Sequence, residues 1–293
     1  MERKCKLGTA VALFLALTLF AAAYIWKNGN DNSFEINRDN GPTENVVDSE
    51  AAKGEERGDV SIAKEEEEIK SEEKDYSPLI EKYKGKEIIR IKTDRKAVAL
   101  TFDAGANADG VDKVLPILAE NNIKATFFLT GKFIERYPQK VREIVATGGD
   151  LGNHSYDHPY FTRLTNEGIK TEIQGAENAL AKLDGKFKPF LRSPYGDRNA
   201  GTLLAISGND YLNIRWTVDS LGWKGTSGGM SKAAIEQKVL KASSPGAIIM
   251  MHLGSNPDDK THLDSEALPE IISKLREDGY EFMTLSKILE LEN

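Results

Sequence analysis

From residue 95 onward, short apolar runs alternate with stretches whose apolar residues recur every three or four positions. That is the pattern of parallel strands joined by crossover helices. Strands are expected over 97–103, 125–131, 150–155, 189–195, 212–219, 247–253 and 280–285. Helices are expected near 110–121, 133–146, 166–183, 199–207, 231–242 and 265–278. No segment repeats at a fixed period, which excludes a solenoid. The class is therefore α/β, a parallel barrel, with a doubly wound open sheet as the alternative.

The N-terminal quarter follows a different pattern. Leu7 to Trp26 are 20 consecutive residues without a charge, long enough at about 1.5 Å per helical residue to cross a hydrocarbon layer of about 30 Å. Arg3, Lys4 and Lys6 precede the run, and a basic flank stays on the cytoplasmic side. A single-pass membrane anchor with the remainder outside the cytoplasm is expected. Its length, and the aromatic belt Tyr24-Ile25-Trp26, favour retention over a cleaved signal peptide, although Ala21-Ala22-Ala23 would suit a peptidase and release a secreted form.

Charge marks the next boundary. Residues 27–78 hold 16 acidic and 7 basic side chains and few large apolar ones, so they are expected to form a disordered acidic linker, with room for a short solvated helix around 62–74. Residues 79–293 carry 29 charges of each sign and form the expected catalytic domain. Three segments result: 1–26, 27–78 and 79–293. The total of -7 lacks the basic stripe a nucleic-acid partner would need. A lone cysteine, Cys5, excludes an internal disulfide or a CxxC metal site.

Polar residues collect at the carboxyl ends of the expected strands, which in parallel α/β barrels share one mouth. Asp103 ends the first, His154 the third, Arg192 and Tyr195 the fourth, Asp219 the fifth and His252 the sixth. His154 and His158 stand four apart and can meet one cation if the segment makes a helical turn; a structural hydrogen-bonded pair is the bland reading. Asp103, after an apolar strand, is a candidate base or a helix cap. Arg192 would grip such a carboxylate by two parallel hydrogen bonds, or form a purely structural bridge. His252 is a candidate general acid or a core histidine. His262, flanked by polar residues, is expected at the surface.

Thr101-Phe102-Asp103, His154-Ser155-Tyr156-Asp157-His158-Pro159, Arg192-Ser193-Pro194-Tyr195, Asp219 with Trp223, and Met251-His252-Leu253 resemble, in order, the five motifs of polysaccharide deacetylases, the NodB-homology family of carbohydrate esterases (family 4). The resemblance covers about 95–290. It implies a distorted (β/α)7 barrel that uses a divalent metal, zinc first with cobalt or manganese as alternatives, to remove acetyl groups from N-acetylhexosamine polymers. Peptidoglycan is the expected glycan substrate, with an N-acetylmuramic acid target also open. By the same resemblance Asp103 matches the general base, His154 and His158 the metal ligands, Arg192 the residue positioning the base, and His252 the acid. The backbone near Tyr195 matches an oxyanion donor, and Trp223 a side chain beside the acetyl pocket. Asp219 belongs to the same substrate-facing motif, and Tyr195 and Trp223 could pack on sugar faces or be core.

Two carboxylates of the pattern are missing. The family's third metal ligand is replaced by Ala104, and the aspartate orienting the acid histidine by Gly222. A rearranged metal site is expected in preference to a degenerate carbohydrate-binding barrel, because Asp103, both histidines, Arg192 and His252 all remain. Asp109 could reach inward, but a cap on the helix beginning near Gly110 is its expected role. A serine hydrolase is disfavoured, with no GxSxG elbow placed before a catalytic histidine, and there is no GxxxxGK phosphate loop.

Overall fold

The computed structural model describes residues 74–292. The expected anchor and most of the expected linker lie outside the described residues. No helix among those described is long and apolar enough to cross a membrane.

A nine-stranded sheet, counted among the described residues, carries the domain. Its strands are β1 (Glu87–Ile88), β2 (Ala97–Ala104), β3 (Thr126–Leu129), β4 (Asp150–Asn153), β5 (Phe190–Leu191), β6 (Leu212–Ile214), β7 (Val218–Asp219), β8 (Ala247–His252) and β9 (Glu281–Phe282). They run in the order β1-β6-β5-β4-β3-β2-β8-β7, with β9 also on β2, and every ladder is parallel. The order climbs one strand at a time from β2 to β6, as in a barrel, whereas a doubly wound sheet reverses in its middle.

The ladder does not close between its two ends. Residues just after β1 bring the edges together instead. The Ile91 N–H donates to Gly246 O at 2.9 Å, and Thr217 Oγ1 donates to Ile89 O at 2.8 Å. Gly246 permits the approach, since a Cβ there would lie 1.9 Å from Ile91 O. The result is a curled, barrel-like parallel sheet.

All seven expected strands are present, most of them trimmed. The 189–195 run shortens to β5 because Pro194 cannot donate to a ladder and Tyr195 is left-handed, with φ 59°. The 212–219 run splits into β6 and β7, and β1 was not foreseen: two residues give no period to read.

The helices are α1 (Ser77–Lys82), α2 (Val111–Glu120), α3 (Gly131–Arg136), α4 (Pro138–Ala146), α5 (Asn166–Ala181), α6 (Ala200–Ser207), α7 (Lys232–Ala242), α8 (Leu263–Glu277) and α9 (Leu285–Ile288). One helix was expected over 133–146. Two form, because Pro138 starts a new one and pushes Tyr137 out of helical geometry, to φ -128° and ψ 52°. Side-chain caps start several others: Thr165 accepts from the Gly168 N–H at 3.1 Å, and Asn199 and Thr202 form a reciprocal capping box.

Alternation along the strands divides the core. Val98, Leu100, Phe102 and Ala104 pack with Val114, Ile144 and Leu268 in the layer under the helices. Ala97 and Ala99 join Phe128, Phe190 and Ile248 inside the curl. Burying each large side chain is worth about 1.5–3 kcal/mol. Tyr76, within the expected linker, already belongs to this packing, its ring 5.4 Å edge-on from Phe190. By period two, Asp103 shares the inward side with Ala97 and Ala99. The register sets it directly beside His252 on β8.

Candidate active site

A cleft of about 700 Å3 opens at the carboxyl ends of the strands and is lined by Asp103, His154, His158, Tyr195, Asp219, Trp223 and His252. Arg192 lies beneath it, 1% exposed. The sequence-predicted residues thus come to one place, carried by the ends of β2, β4, β5, β7 and β8 or the turns after them.

Asp103 and Arg192 form its floor. Arg192 Nη1 donates to Asp103 Oδ1 at 2.6 Å. The expected paired grip is not seen: Nε donates to Ile214 O at 3.3 Å and Nη2 to Arg215 O at 3.2 Å. The guanidinium is spread over three partners, with its Cζ 4.1 Å from the centroid of the Phe128 ring. Burial raises the Asp103 pKa, but Arg192, His154 and His252 outweigh it and hold the carboxyl below the ordinary range. Asp103 is therefore a buried anion at neutral pH.

The imidazoles meet without a helical turn. Ser155 and His158 both take left-handed backbones, with φ 68° and 60°, and fold the segment back on itself. His154 Nδ1 is held 2.8 Å from Arg192 O, so it carries the proton and leaves the Nε2 lone pair free. His158 Nε2 faces that nitrogen at 3.1 Å, and Asp103 Oδ2 lies 3.6 Å from it. Burial above all lowers both histidines; the neighbouring His154 helps push His158 down to about 3. Both rings are neutral donors at physiological pH.

His252 is the opposite case. Burial lowers its pKa, but Asp264, Asp103 and Asp219 overcome that and raise it. Asp264, on the first turn of α8, accepts the His252 backbone N–H at Oδ2, 2.8 Å away, and that oxygen lies 3.6 Å from Nδ1. Asp219 spends Oδ1 on the Leu221 N–H at 2.8 Å, and burial raises its carboxyl.

The rim is aromatic. Tyr195 is 58% and Trp223 46% exposed, so neither is core. Tyr160 stacks on Tyr195, centroids 4.2 Å apart and planes 14° apart, and Arg163 Cζ lies 4.3 Å from the Tyr160 ring centroid.

Three minor expectations fail. Asp109 does not cap α2; its Oδ2 accepts Ser255 Oγ at 2.6 Å, and Gly110 holds the cap position. His262 is half-buried against Gly110 at the start of α8 instead of lying on the surface. The string Gly225-Thr226-Ser227-Gly228-Gly229 does spell GxSxG, yet Ser227 is an exposed turn residue whose N–H and Oγ are taken by Asp259 and Asn256.

Sequence reasoning missed Tyr160, Trp216 and Asp264. Tyr160 follows the His158-Pro159 pair and could have been flagged by that. Trp216 sits between expected strand residues, and Asp264 reads as an ordinary acid in a helix first turn.

Comparison with known proteins fits this geometry. The family profile described as polysaccharide deacetylase matches residues 90–213. A peptidoglycan-N-acetylglucosamine deacetylase of Bacillus cereus is 34% identical over 197 residues, covering 67% of this chain and 70% of that protein. The chain belongs to the polysaccharide deacetylase family. The peptidoglycan-N-acetylmuramic acid deacetylase PdaA of Bacillus subtilis is 30% identical over 217 residues, 74% of this chain and 79% of that protein. Among solved structures, a CE4-family pseudoenzyme from Bacillus anthracis superposes with a TM-score of 0.65 at 27% identity, covering 73% of this chain and 72% of that one.

Proposed function

We propose that this polysaccharide deacetylase removes N-acetyl groups from an N-acetylhexosamine polymer, cell-wall peptidoglycan, in a metal-dependent reaction. One observation carries the reading: in a single cleft, a buried carboxylate ionised by Arg192, two neutral imidazoles face to face, and a third imidazole disposed to hold a proton stand side by side.

The donor set suits a divalent ion. His154 Nε2 and His158 Nε2 face each other at 3.1 Å, close enough for both to hold one cation. Imidazole pairs suit zinc first, with cobalt and manganese behind it. Among the described residues no cluster of three His, Cys, Asp or Glu side chains surrounds the pair. Ala104, buried in the apolar layer, offers nothing in place of the family's carboxylate. The fit therefore rests on two imidazoles, with water or substrate oxygens for the remaining positions and Asp103 Oδ2 beside them as the base.

A bound ion would polarise the acetyl carbonyl and lower the pKa of a water. Asp103 Oδ2 takes a proton from the attacking water as the water oxygen bonds to the acetyl carbon. Arg192 keeps Oδ1 occupied and so aims Oδ2. Tyr195 lines the cleft, and its backbone N–H would be the donor to the developing oxyanion. As the carbon–nitrogen bond breaks, His252 gives its proton to the departing amine, leaving acetate and a free amino sugar. Tyr195 and Trp223 supply flat faces for the glycan, with Tyr160 stacked against Tyr195.

The apolar run 7–26 behind basic residues supports action outside the cytoplasm from a membrane anchor, on sequence grounds. A glycan-binding barrel without turnover is the competing reading, favoured by Ala104 and by the pseudoenzyme among the solved relatives. Acetate release from peptidoglycan and from N-acetylglucosamine oligomers, assayed with zinc, cobalt or manganese, decides between them. The proposal expects release that falls by at least about 100-fold in His154→Ala. Glycan binding with no acetate under any metal would establish the competing reading.

A further inference from the structure

The acid His252 needs a partner that fixes its ring, and the position where the family resemblance puts one holds Gly222. Asp103 is tied to Arg192 and Asp219 to the Leu221 N–H. Asp264, in contrast, is 4% exposed, and its Oδ1 and the Nδ1 of His252 are both buried without another hydrogen-bond partner. Two unpaired polar atoms in one buried place ordinarily mark a pair awaiting closure. Oδ2 stands 3.6 Å from Nδ1, beyond hydrogen-bond range, and small rotations of the two side chains close that gap; such contacts tighten when substrate binds.

Gly222 supplies the second, independent observation. Its backbone is not left-handed, so its turn does not demand glycine. Space does: a Cβ at 222 would lie 2.3 Å from Asp264 Oδ1, 2.4 Å from Cγ and 2.7 Å from Oδ2. The Asp264 carboxylate occupies the volume into which a side chain at 222 would project.

Resting on the deacetylase reading, we propose that Asp264 is the positioning residue for His252, its carboxylate arriving from the first turn of α8 to orient the imidazole through Nδ1 in place of the one absent at Gly222. Nε2 is then the nitrogen that delivers the proton to the amine. The charged and titratable groups facing His252 are Asp264, Asp103 and Asp219, with His154 and His158 beyond them. Of these, Asp264 is the one with a carboxylate oxygen within 4 Å of Nδ1.

The test is a set of variants of the full chain, read by steady-state kinetics on N-acetylglucosamine oligomers with zinc and by 15N NMR titration of the His252 ring. Asp264→Asn keeps size and an acceptor for the backbone N–H but removes the charge. It is expected to lower kcat about 10- to 100-fold with KM within about twofold. The basic limb of the kcat profile and the His252 titration should both move to lower pH. Gly222→Asp alone meets the Asp264 carboxylate and should lose activity; combined with Asp264→Ala it should recover at least about tenfold over Asp264→Ala. A role confined to anchoring α8 would show neither the rescue nor the moved titration. Unchanged kcat and an unchanged His252 titration in Asp264→Asn would overturn the assignment. Were the wild type inactive with every metal, the deacetylase reading would fall, while the NMR titration would still decide whether Asp264 governs His252.

Discussion

Asp103 and Arg192 hold opposite charges where water does not reach, and each is tolerable only because of the other. Removing Arg192 strands a buried carboxylate, so Arg192→Met should destabilise the fold by about 3–5 kcal/mol. Adding Asp103→Asn should restore part of that, measured as urea midpoints. The pair also sets an acid dependence. In the unfolded chain Asp103 ionises at an ordinary carboxylate pH, and in the fold below it. Its contribution is complete above the ordinary range and lost as pH falls through the lowered folded value. Asp103→Asn should flatten that part of the stability curve; an unaltered curve would show that the bridge contributes nothing. Asp103, His154, His158, Arg192 and His252 were legible as residues because each ends an apolar run or stands in a short motif. The spread of Arg192 over two carbonyls, the left-handed turns at Ser155 and His158, and the part played by Asp264 were not. They depend on which backbone groups the fold brings near, and no spacing encodes that.

At the scale of elements, β2 and β8 are central, buried on both faces and joined over six residues. β1 and β9 are two-residue edges. Native-state hydrogen exchange should therefore find the amides of 97–104 and 247–252 opening only with global unfolding, and those of 87–88 and 281–282 well before it. Equal protection across the sheet would contradict the description of those edges. The long strands and amphipathic helices were readable because period two and period 3.6 persist over enough residues to be counted. The break at Pro138 was overlooked although the residue itself announces it. β1 and the division of 212–219 left no pattern, since they arise from where the curl must close.

For the whole molecule, the even balance of charge over 79–293 and the strand-end chemistry agree with a neutral domain built around one polar mouth. With no net charge over 79–293, the domain exerts little long-range pull on a neutral glycan, so activity on neutral N-acetylglucosamine oligomers should change less than about twofold between 50 and 200 mM salt, as read by initial rates. The proposed reaction depends on one ion seated between two imidazoles beside an ionised carboxylate, despite the alanine at 104. Anomalous diffraction from crystals of the protein soaked in zinc tests this directly. The predicted result is one strong peak within bonding distance of both His154 Nε2 and His158 Nε2, on the side facing Asp103 Oδ2, that vanishes in His154→Ala; density confined to other surface groups, with the facing rings left bare, would contradict it.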